Sequence, residues 1–377
     1  MADEKILKQK LGENLEWNKA RIDFLAKFII ALIQVRTVNF SEIANVLIGR
    51  AKEESNYKRI IRFFKKFEIC YQEMAELIVK MVVIEKPWVL AMDRTEWGYG
   101  NAWINILMLG ICYKGVLFPL YWKILEKKGN SNTEERKELI QEFINKFGVS
   151  SIKFVTADRE FIGKEWFKYL IKQGIDFRIR IKDNTLIHNR RAMSVAAYKL
   201  FSNLGVNCPI TSKKSCLIWS IPLYLTGMKL ETGEYLILVS PKFSADACQD
   251  YLLRWNIETL FGCLKSRGFR LEDSHLTDSI KLKKLIAILS IAFSWAFLLG
   301  YFLSQQKSIK LKNHGRPEKS IFRLGFDRLR RFFTNSLSFL DLQTRQLGLK
   351  PSLQPLSFGN SVSILTSPQE VHFFSIR

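Results

Sequence analysis

The chain has 377 residues, of which 47% are hydrophobic and 13% aromatic, and its formal net charge is +22. This composition excludes an intrinsically disordered chain and leaves room for two or three domains around a large core. Positive charge on this scale is usually matched by a polyanion, so nucleic acid is the first candidate partner and an anionic membrane surface the second.

Six cysteines and four histidines are scattered along the chain without a C-x-x-C pair. This spacing argues against a structural zinc site. The first five residues, Met1 to Lys5, include three charged side chains, and no short apolar core follows them. We therefore expect no signal peptide, and free thiols in a reducing cytoplasm.

Residues 1–85 are predicted to form a helical, DNA-binding domain. Leu15–Ile33 has the spacing of one amphipathic helix, and Ser41 is a suitable N-cap for the next. Glu54–Phe67 is basic on one face and apolar on the other. A helix-turn-helix arrangement and a helical bundle with a solvated basic face explain the pattern equally well. Under the first alternative, the DNA contacts would include Lys58, Arg59 and Arg62.

Residues 86–183 are predicted to be the first part of an α/β core. Two aspartates end short apolar runs, in Trp88–Asp93 and Ile152–Asp158. Other strand-like runs alternate with amphipathic helices, and the order predicts a mixed sheet covered by helices. The remaining predicted elements are strands at Trp103–Cys112, Val116–Leu125 and Phe177–Lys182, and helices at Thr133–Phe147 and Lys164–Gln173, the latter ending at Gly174.

Residues 184–245 lack helical periodicity and are predicted to be a β-rich insertion. Leu217–Leu225 and Tyr235–Val239 have the composition of strands, with a turn at Glu231–Glu234 between them. The chain would then return to the core over residues 246–305.

The second part of the core contains a predicted helix, Tyr251–Lys265. At about 100° per residue, four of its polar side chains fall within roughly 60°, while Leu253, Ile257 and Leu264 face a core. An ordinary solvated face with an i,i+4 ion pair would look the same. The four polar residues are Tyr251, Arg254, Glu258 and Lys265.

The segment Leu285–Leu303 contains 19 residues without a charge, which approaches the length of a membrane span. Ser290 and Ser294 within it, and the absence of a second such run, favour a buried core helix over a span.

Residues 306–377 are predicted to be a basic C-terminal region, with 345–377 as a loosely attached tail. Gln306–Arg331 holds nine Lys or Arg residues against two acids. A solvated tail is the alternative to a nucleic-acid contact. The candidate contacts are Arg316, Lys319 and Arg323.

Three carboxylates are candidates for one site. Asp93 and Asp158 end strands, and Glu258 lies on the polar helix face. Carboxylates that converge need a divalent cation, and oxygen ligands favour Mg²⁺ or Mn²⁺. Two such ions can drive phosphoryl transfer. Each aspartate taken singly is more often a strand or turn terminus.

The spacing Tyr251-x2-Arg254-x3-Glu258-x6-Lys265 resembles the Y-R-E-K signature of a bacterial insertion-sequence transposase family, the IS-four family of DDE transposases. Asp93–Trp97 is similar to that family's D-R-T-x-W motif, and Asp158–Phe161 is similar to its D-R-E-x motif. The resemblance covers roughly residues 85–300, and His314–Arg323 is a softer match to a basic C-terminal segment.

This resemblance implies a ribonuclease H-like fold in which Asp93, Asp158 and Glu258 bind two Mg²⁺ or Mn²⁺ ions. Tyr251, Arg254 and Lys265 would contact phosphates at the transposon end. The family cuts and pastes DNA, and it works as a homodimer on terminal inverted repeats and target DNA. Hairpin intermediates occur in characterised members.

Other site residues are less defined by the resemblance. Arg159 and Glu160 would shape the turn after the second aspartate, with Arg159 a further DNA contact. Glu96 stands where relatives often have Asn. Trp219 lies in the insertion, where an aromatic residue of some relatives holds a flipped base, although a core Trp is the more frequent case.

Three alternatives to an active transposase stay open. They are a catalytically inactive DNA-binding relative, a membrane-surface protein anchored by Leu285–Leu303, and a metal-dependent nuclease that cleaves without joining. For the transposase, a cytoplasmic location on the nucleoid is expected.

Overall fold

The computed structural model describes residues 2–49, 51–188, 193–313 and 315–334. Over these residues the chain is a mixed α/β structure, as predicted. The helices are α1 (Ala2–Gly12), α2 (Lys19–Val35), α3 (Phe40–Val46), α4 (Glu53–Lys66), α5 (Tyr71–Val82), α6 (Thr133–Phe147), α7 (Lys164–Lys172), α8 (Ala247–Leu252), α9 (Trp255–Leu264), α10 (Ser279–Gln306) and α11 (Ile321–Thr334).

The strands join into a single mixed sheet in the order β3-β2-β1-β4-β5-β11-β10-β9-β6-β7, with β8 beside β10. β1, β2 and β3 are antiparallel neighbours, whereas β1, β4 and β5 run parallel. The strands are β1 (Trp88–Tyr99), β2 (Ala102–Tyr113), β3 (Val116–Ile124), β4 (Ile152–Ala157), β5 (Phe177–Ile181), β6 (Leu186–His188), β7 (Ser194–Ala196), β8 (Ile210–Thr211), β9 (Cys216–Ile218), β10 (Ile221–Lys229) and β11 (Tyr235–Ser240).

The prediction that the first strand ends at Asp93 is wrong. β1 pairs in parallel with β4 only as far as Met92 opposite Ala157, but it pairs with β2 as far as Tyr99. Asp93 is therefore the residue at which β1 loses one neighbour and keeps the other. The hairpin with β2 continues the strand, which the short apolar run did not indicate.

The segment predicted to be an insertion contributes strands to the same sheet. β11 pairs antiparallel with β5, and β10 follows it, so the two long strands of this segment extend the sheet beyond β5. The prediction of one strand at Leu217–Leu225 is wrong, because β9 and β10 form a hairpin there. Trp219 and Ser220 occupy its turn at φ values of 50° and 66°. Two central residues with positive φ are typical of a type I′ turn, normally signalled by Asn or Gly.

The predicted helix Tyr251–Lys265 is two helices, α8 and α9, that meet at Leu253 and Arg254. The amide of Arg254 donates to the carbonyl of Tyr251 at 2.9 Å, and that of Ile257 donates to the carbonyl of Arg254 at 3.1 Å. These i,i+3 hydrogen bonds tighten the backbone at the junction. Both junction residues keep right-handed helical φ and ψ.

α10 is the central helix of the described structure. It is buried without a break from Lys284 to Phe297 and contacts β3, α2, α4, α5, α9 and α11. Among the described residues it is the only single helix long and apolar enough to cross a membrane, but most of its apolar stretch is buried inside the protein. That burial supports the interpretation of Leu285–Leu303 as a core helix.

Two details of the N-terminal helices differ from prediction. α2 begins only at Lys19, because the Asn18 side chain accepts the Arg21 amide and caps the helix there. α3 is capped by Asn39, not Ser41; the Asn39 side chain accepts the amide of Ser41 at 2.9 Å. At the other end of the chain, residues 335–377, including the predicted tail 345–377, lie outside the described residues.

Candidate active site

Adjacent parallel strands place two of the predicted carboxylates side by side. The pairing of β1 with β4 ends at Met92 opposite Ala157. Asp93 is the next residue of β1, and Asp158 is the first residue after β4. Residues in register on parallel neighbours point to the same face of the sheet. Both aspartates therefore face α8 and α9, which lie over this edge.

Asp93 is mostly buried, and its charge is incompletely balanced. Its carboxylate accepts the Arg94 amide at 2.7 Å and lies 3.3 Å from a guanidinium nitrogen of Arg254. Burial raises the pKa of Asp93 to about 7, the negative charges of Glu160 and Asp158 add to the rise, and the contacts with Arg94 and Arg254 only partly oppose it. Burial thus favours the neutral form of this carboxyl group far more than water does.

Asp158 contacts Tyr251 of α8. The Tyr251 hydroxyl donates to the Asp158 carboxylate at 3.1 Å, and the amide of Arg159 donates to the same oxygen at 2.7 Å. Tyr251 is buried, and burial is the main cause that raises the pKa of its hydroxyl, with the neighbouring Asp158 charge adding to it. Tyr251 therefore acts here as a neutral hydrogen-bond donor.

Arg254 links Glu258 to Asp93. One guanidinium nitrogen lies 2.9 Å from the Glu258 carboxylate and 3.3 Å from that of Asp93. The Arg254 side chain is 5% exposed, whereas that of Glu258 is 43% exposed. The guanidinium also lies over the rings of Trp255 and Tyr251, at 4.7 and 5.6 Å from their centroids. A cation held in this way draws two carboxylates, distant in sequence, toward each other.

Lys265 lies beyond α9, next to β1. Its ammonium group donates to the backbone carbonyl of Glu96 at 3.3 Å and forms an ion pair with Glu272 at 2.9 Å. It also lies 4.9 Å from the centroid of the Trp97 ring. Of the four predicted polar helix residues, Tyr251, Arg254 and Glu258 meet at the aspartates, and Lys265 lies farther along β1.

The donor set fits a hard divalent cation, but its present arrangement does not enclose one. Carboxylate oxygens suit Mg²⁺ and Mn²⁺, and the incompletely balanced Asp93 would gain from a positive neighbour. In the described ranges no three His, Cys, Asp or Glu side chains lie close enough together to hold an ion. Arg254 contacts both Asp93 and Glu258, so its guanidinium would have to leave before those two carboxylates could share a metal.

Sequence reasoning missed two arginines that support the site. Arg94 lies 3.3 Å from both Glu160 oxygens and 2.5 Å from Glu96, so it ties β1 to the turn after Asp158. Arg136 of α6 is buried and donates to the carbonyls of Glu160 and Ile162 at 2.9 and 3.4 Å. Arg94 stood within a quoted motif, but nothing in the local pattern indicated the partners of either residue.

The other predicted DNA contacts lie on the surface, and all but Arg159, which directly follows Asp158, are far from the aspartates in sequence. On α4, Lys58 and Arg62 are exposed, while Arg59 pairs with Asp23 at 3.3 Å. Lys319 and Arg323 both pair with Asp327 of α11, at 2.8 and 2.9 Å. The remaining two, Arg159 and Arg316, are exposed.

Trp219 is half-buried at the β9–β10 turn. Its ring centroid lies 5.8 Å from that of Phe167 on α7. This contact accounts for the residue as part of the core that joins α7 to the sheet.

A comparison with protein-family models supports a DDE transposase domain. A family model described as the transposase DDE domain matches residues 85–295, more than half of the chain. No curated protein matches the sequence. Among solved structures, the chain is similar to a piggyBac transposase in a cryo-EM synaptic complex with hairpin DNA, at 12% identity and a TM-score of 0.45. That alignment covers 93% of this chain and 79% of the other.

Proposed function

This chain belongs to the DDE transposase domain family, and from that premise we propose that it catalyses cut-and-paste transposition of an insertion sequence as a member of the Y-R-E-K signature (IS-four) family. The main support for this proposal is that the Y-R-E-K segment contacts both aspartate motifs in space. Tyr251 contacts Asp158 and Arg254 contacts Asp93, across a sequence separation of 93 and 161 residues.

The proposed core is ribonuclease H-like. Support comes from the strand order β3-β2-β1-β4-β5, antiparallel on one side of β1 and parallel on the other. Residues 86–183 and 246–305 would form this core and 184–245 its β-rich insertion. Residues 1–85 would be the helical DNA-binding domain, and 306–377 a basic C-terminal region.

Asp93, Asp158 and Glu258 are the proposed ligands of two Mg²⁺ or Mn²⁺ ions. When bound, such ions would activate a water or DNA hydroxyl for attack on phosphorus and stabilise the leaving oxygen. Arg254 has the complementary role in this proposal. Its guanidinium balances Asp93 and Glu258 in the free protein, and a DNA phosphate offers it an alternative bidentate partner. Tyr251 would hold the position of Asp158 through its hydroxyl.

Double-stranded DNA is the proposed partner, both as the terminal inverted repeats of the element and as the target. Two copies of the chain would hold two element ends together. A location in the cytoplasm, on the nucleoid, follows from that substrate.

The full-length chain should cleave DNA that carries the element's ends in the presence of Mg²⁺ or Mn²⁺ and join those ends to a target. Asp158→Asn or Glu258→Gln should abolish cleavage while end binding persists, because each removes only a metal ligand. Gel analysis of cleaved and joined products measures the first effect, and fluorescence anisotropy measures the second. Normal cleavage by Glu258→Gln would show that the site is wrongly assigned.

A second experiment tests metal binding without turnover. Mn²⁺ should raise the melting temperature of the wild-type chain and raise that of Asp158→Asn less, because one ligand is lost. Exposed Asp246 offers a matched control, since Asp246→Asn removes one carboxylate elsewhere. An equal Mn²⁺ effect on Asp158→Asn and the wild type would contradict the proposed ligand set.

One observation favours a second candidate, a DNA-binding relative that does not cleave. Arg254 already satisfies two of the three carboxylates. A protein locked in this arrangement would bind element ends and compete with an active enzyme. Binding without cleavage in either metal would identify it.

A further inference from the structure

A third residue lies in register with the two aspartates. β4 and β5 pair in parallel, with Thr156 opposite Arg178 and Ala157 opposite Ile179. The next residue on β5 is Arg180, beside Asp158. Arg180 is thus placed at the same edge of the sheet, one strand beyond the acids, at the usual strand spacing of about 4.8 Å.

Arg180 lines a surface hollow of about 220 Å³. The hollow joins the turn after the second aspartate to the beginning of the insertion and to the first residue of β11. Three of its residues are cationic, two are acidic, and one is aromatic. The lining side chains used here are Arg159, Arg180, Lys182, Asp183, Glu234 and Tyr235.

The three cations of the hollow have no side-chain partner in the part of the chain that the structure describes. In the described ranges, none of Arg159, Arg180 and Lys182 forms a side-chain ion pair or hydrogen bond, not even with the two carboxylates of the hollow. Arg178, on the same strand face two residues earlier, pairs with Asp176 at 2.8 Å and Asp250 at 3.1 Å. β5 thus carries two arginines on one face. Arg178, next to α8, is neutralised by two aspartates, whereas Arg180, next to the candidate active site, has no such partner among the described residues.

We propose that this hollow is a phosphate-binding subsite for the DNA strand, with Arg180 as its principal contact and Lys182 and Arg159 beside it. The inference rests on the proposed function and extends it to Arg180 and Lys182, which lie outside the matching motifs. The subsite holds a phosphate adjacent to the scissile one, because Arg180 lies one strand away from Asp158 and a long side chain spans the remaining gap. Tyr235 provides a face against which the attached sugar or base packs.

The test is DNA binding by the full-length chain, measured by fluorescence anisotropy with a short duplex at several salt concentrations and without divalent metal. Arg180→Gln should weaken binding by roughly tenfold and reduce the salt-dependence slope by about one, as expected for one lost phosphate contact. Arg180→Lys should restore most of the slope because it keeps the charge. Melting temperatures should stay close to the wild-type value, since Arg180 forms no ion pair or side-chain hydrogen bond with the residues that the structure describes.

Lys153→Gln is the matched control, because Lys153 is an exposed cation at the opposite end of β4. It should change neither affinity nor slope. The proposal is overturned if Arg180→Gln binds with the wild-type affinity and slope, or if Lys153→Gln has an equal effect. These outcomes do not depend on cleavage, so they are separate from a failure of the proposed function.

A second arm locates the phosphate. Once the cleavage position is known, single methylphosphonate substitutions neutralise one phosphate at a time next to it. At the contacted position the methylphosphonate should lower the DNA affinity of the wild-type protein by roughly tenfold. It should leave the affinity of Arg180→Gln unchanged, since the two changes remove the same contact. Equal losses of DNA affinity in the wild type and Arg180→Gln at every flanking position would overturn the proposed subsite.

Discussion

Burial of the Asp93 carboxylate lowers the unfolding free energy of the protein by an amount that depends on pH. Its pKa is about 7 in the folded protein, against an ordinary value of 3.8. The folded state therefore binds the proton more tightly than the unfolded chain. Stability falls as pH rises from about 4 to about 7, and the penalty is fully present above that range.

Asp93→Asn should consequently stabilise the metal-free protein above pH 7. Each unit of difference between the folded and unfolded pKa corresponds to about 1.4 kcal/mol, so the gain in unfolding free energy should be a few kcal/mol at most. At about pH 4 the gain should vanish, because Asp93 is then protonated in both states. Denaturant unfolding at several pH values measures the difference from wild type. Asp246→Asn serves as the control, and a difference that does not vary with pH would contradict the explanation.

Lys265 forms an ion pair with Glu272 at 2.9 Å. This ion pair competes with binding of the Lys265 ammonium group to DNA. Lys265→Ala should weaken DNA binding and lower the salt slope by about one if the ammonium group contacts one phosphate. Glu272→Gln should act in the opposite direction, because it frees the cation and removes a negative charge. Anisotropy with the same duplex compares the two, and a loss of affinity in Glu272→Gln would show that the ion pair positions Lys265 for DNA.

At the scale of elements, α10 and α11 meet at two glycines. A Cβ on Gly300 would lie 1.9 Å from the carbonyl oxygen of Ile321, and one on Gly325 would lie 1.8 Å from that of Ala296. The obstructing atoms are backbone, so the helices themselves would have to separate. The position of α11 against the rest of the structure therefore depends on this contact.

Gly325→Ala and Gly300→Ala should each destabilise the protein by about 1–3 kcal/mol or more, as overpacked contacts do. Thermal unfolding should show the loss, and limited proteolysis should reach α11 first. Gly12→Ala at the end of α1 is the control, because no atom lies within 4 Å of its added Cβ. Equal melting temperatures for Gly12→Ala and Gly325→Ala would contradict the role of the contact.

Periodicity predicted the elements whose signal is local. α6 and β5, for example, lie where amphipathic and alternating patterns place them. Periodicity gave the wrong strand boundaries where pairing with a neighbouring strand determines them. β1 continues past Asp93 because β2 lies beside it, and the chain reverses at Trp219 because β9 and β10 pair.

The spatial arrangement of the candidate site was predictable to a similar extent. The motifs named Asp93, Asp158, Glu258, Tyr251 and Arg254, and the structure brings these residues into mutual contact or adjacent register. The hydrogen bonds of Arg94 and Arg136 to the turn at Glu160 depend on three-dimensional proximity that no spacing encodes. Arg180 was missed for the same reason, since only the register of β5 with β4 reveals its position.

At the scale of the whole molecule, the net charge of +22 should dominate non-specific binding. Affinity for duplex DNA of any sequence should fall by roughly a thousandfold or more between about 50 and 200 mM salt, if at least six phosphates are contacted. Anisotropy titrations with an unrelated duplex measure this slope. Binding that is insensitive to salt would mean that the positive charge serves another partner.

The placement of α10 has a consequence for how the protein is made. The Lys284 ammonium group donates to the carbonyl of Phe64, 220 residues earlier. At about 5–20 residues per second, a ribosome needs on the order of 10–40 s to synthesise the chain between them. During that interval the N-terminal helices are synthesised before the helix that covers them, so the surface that α10 buries stays open until the last third of the chain is made.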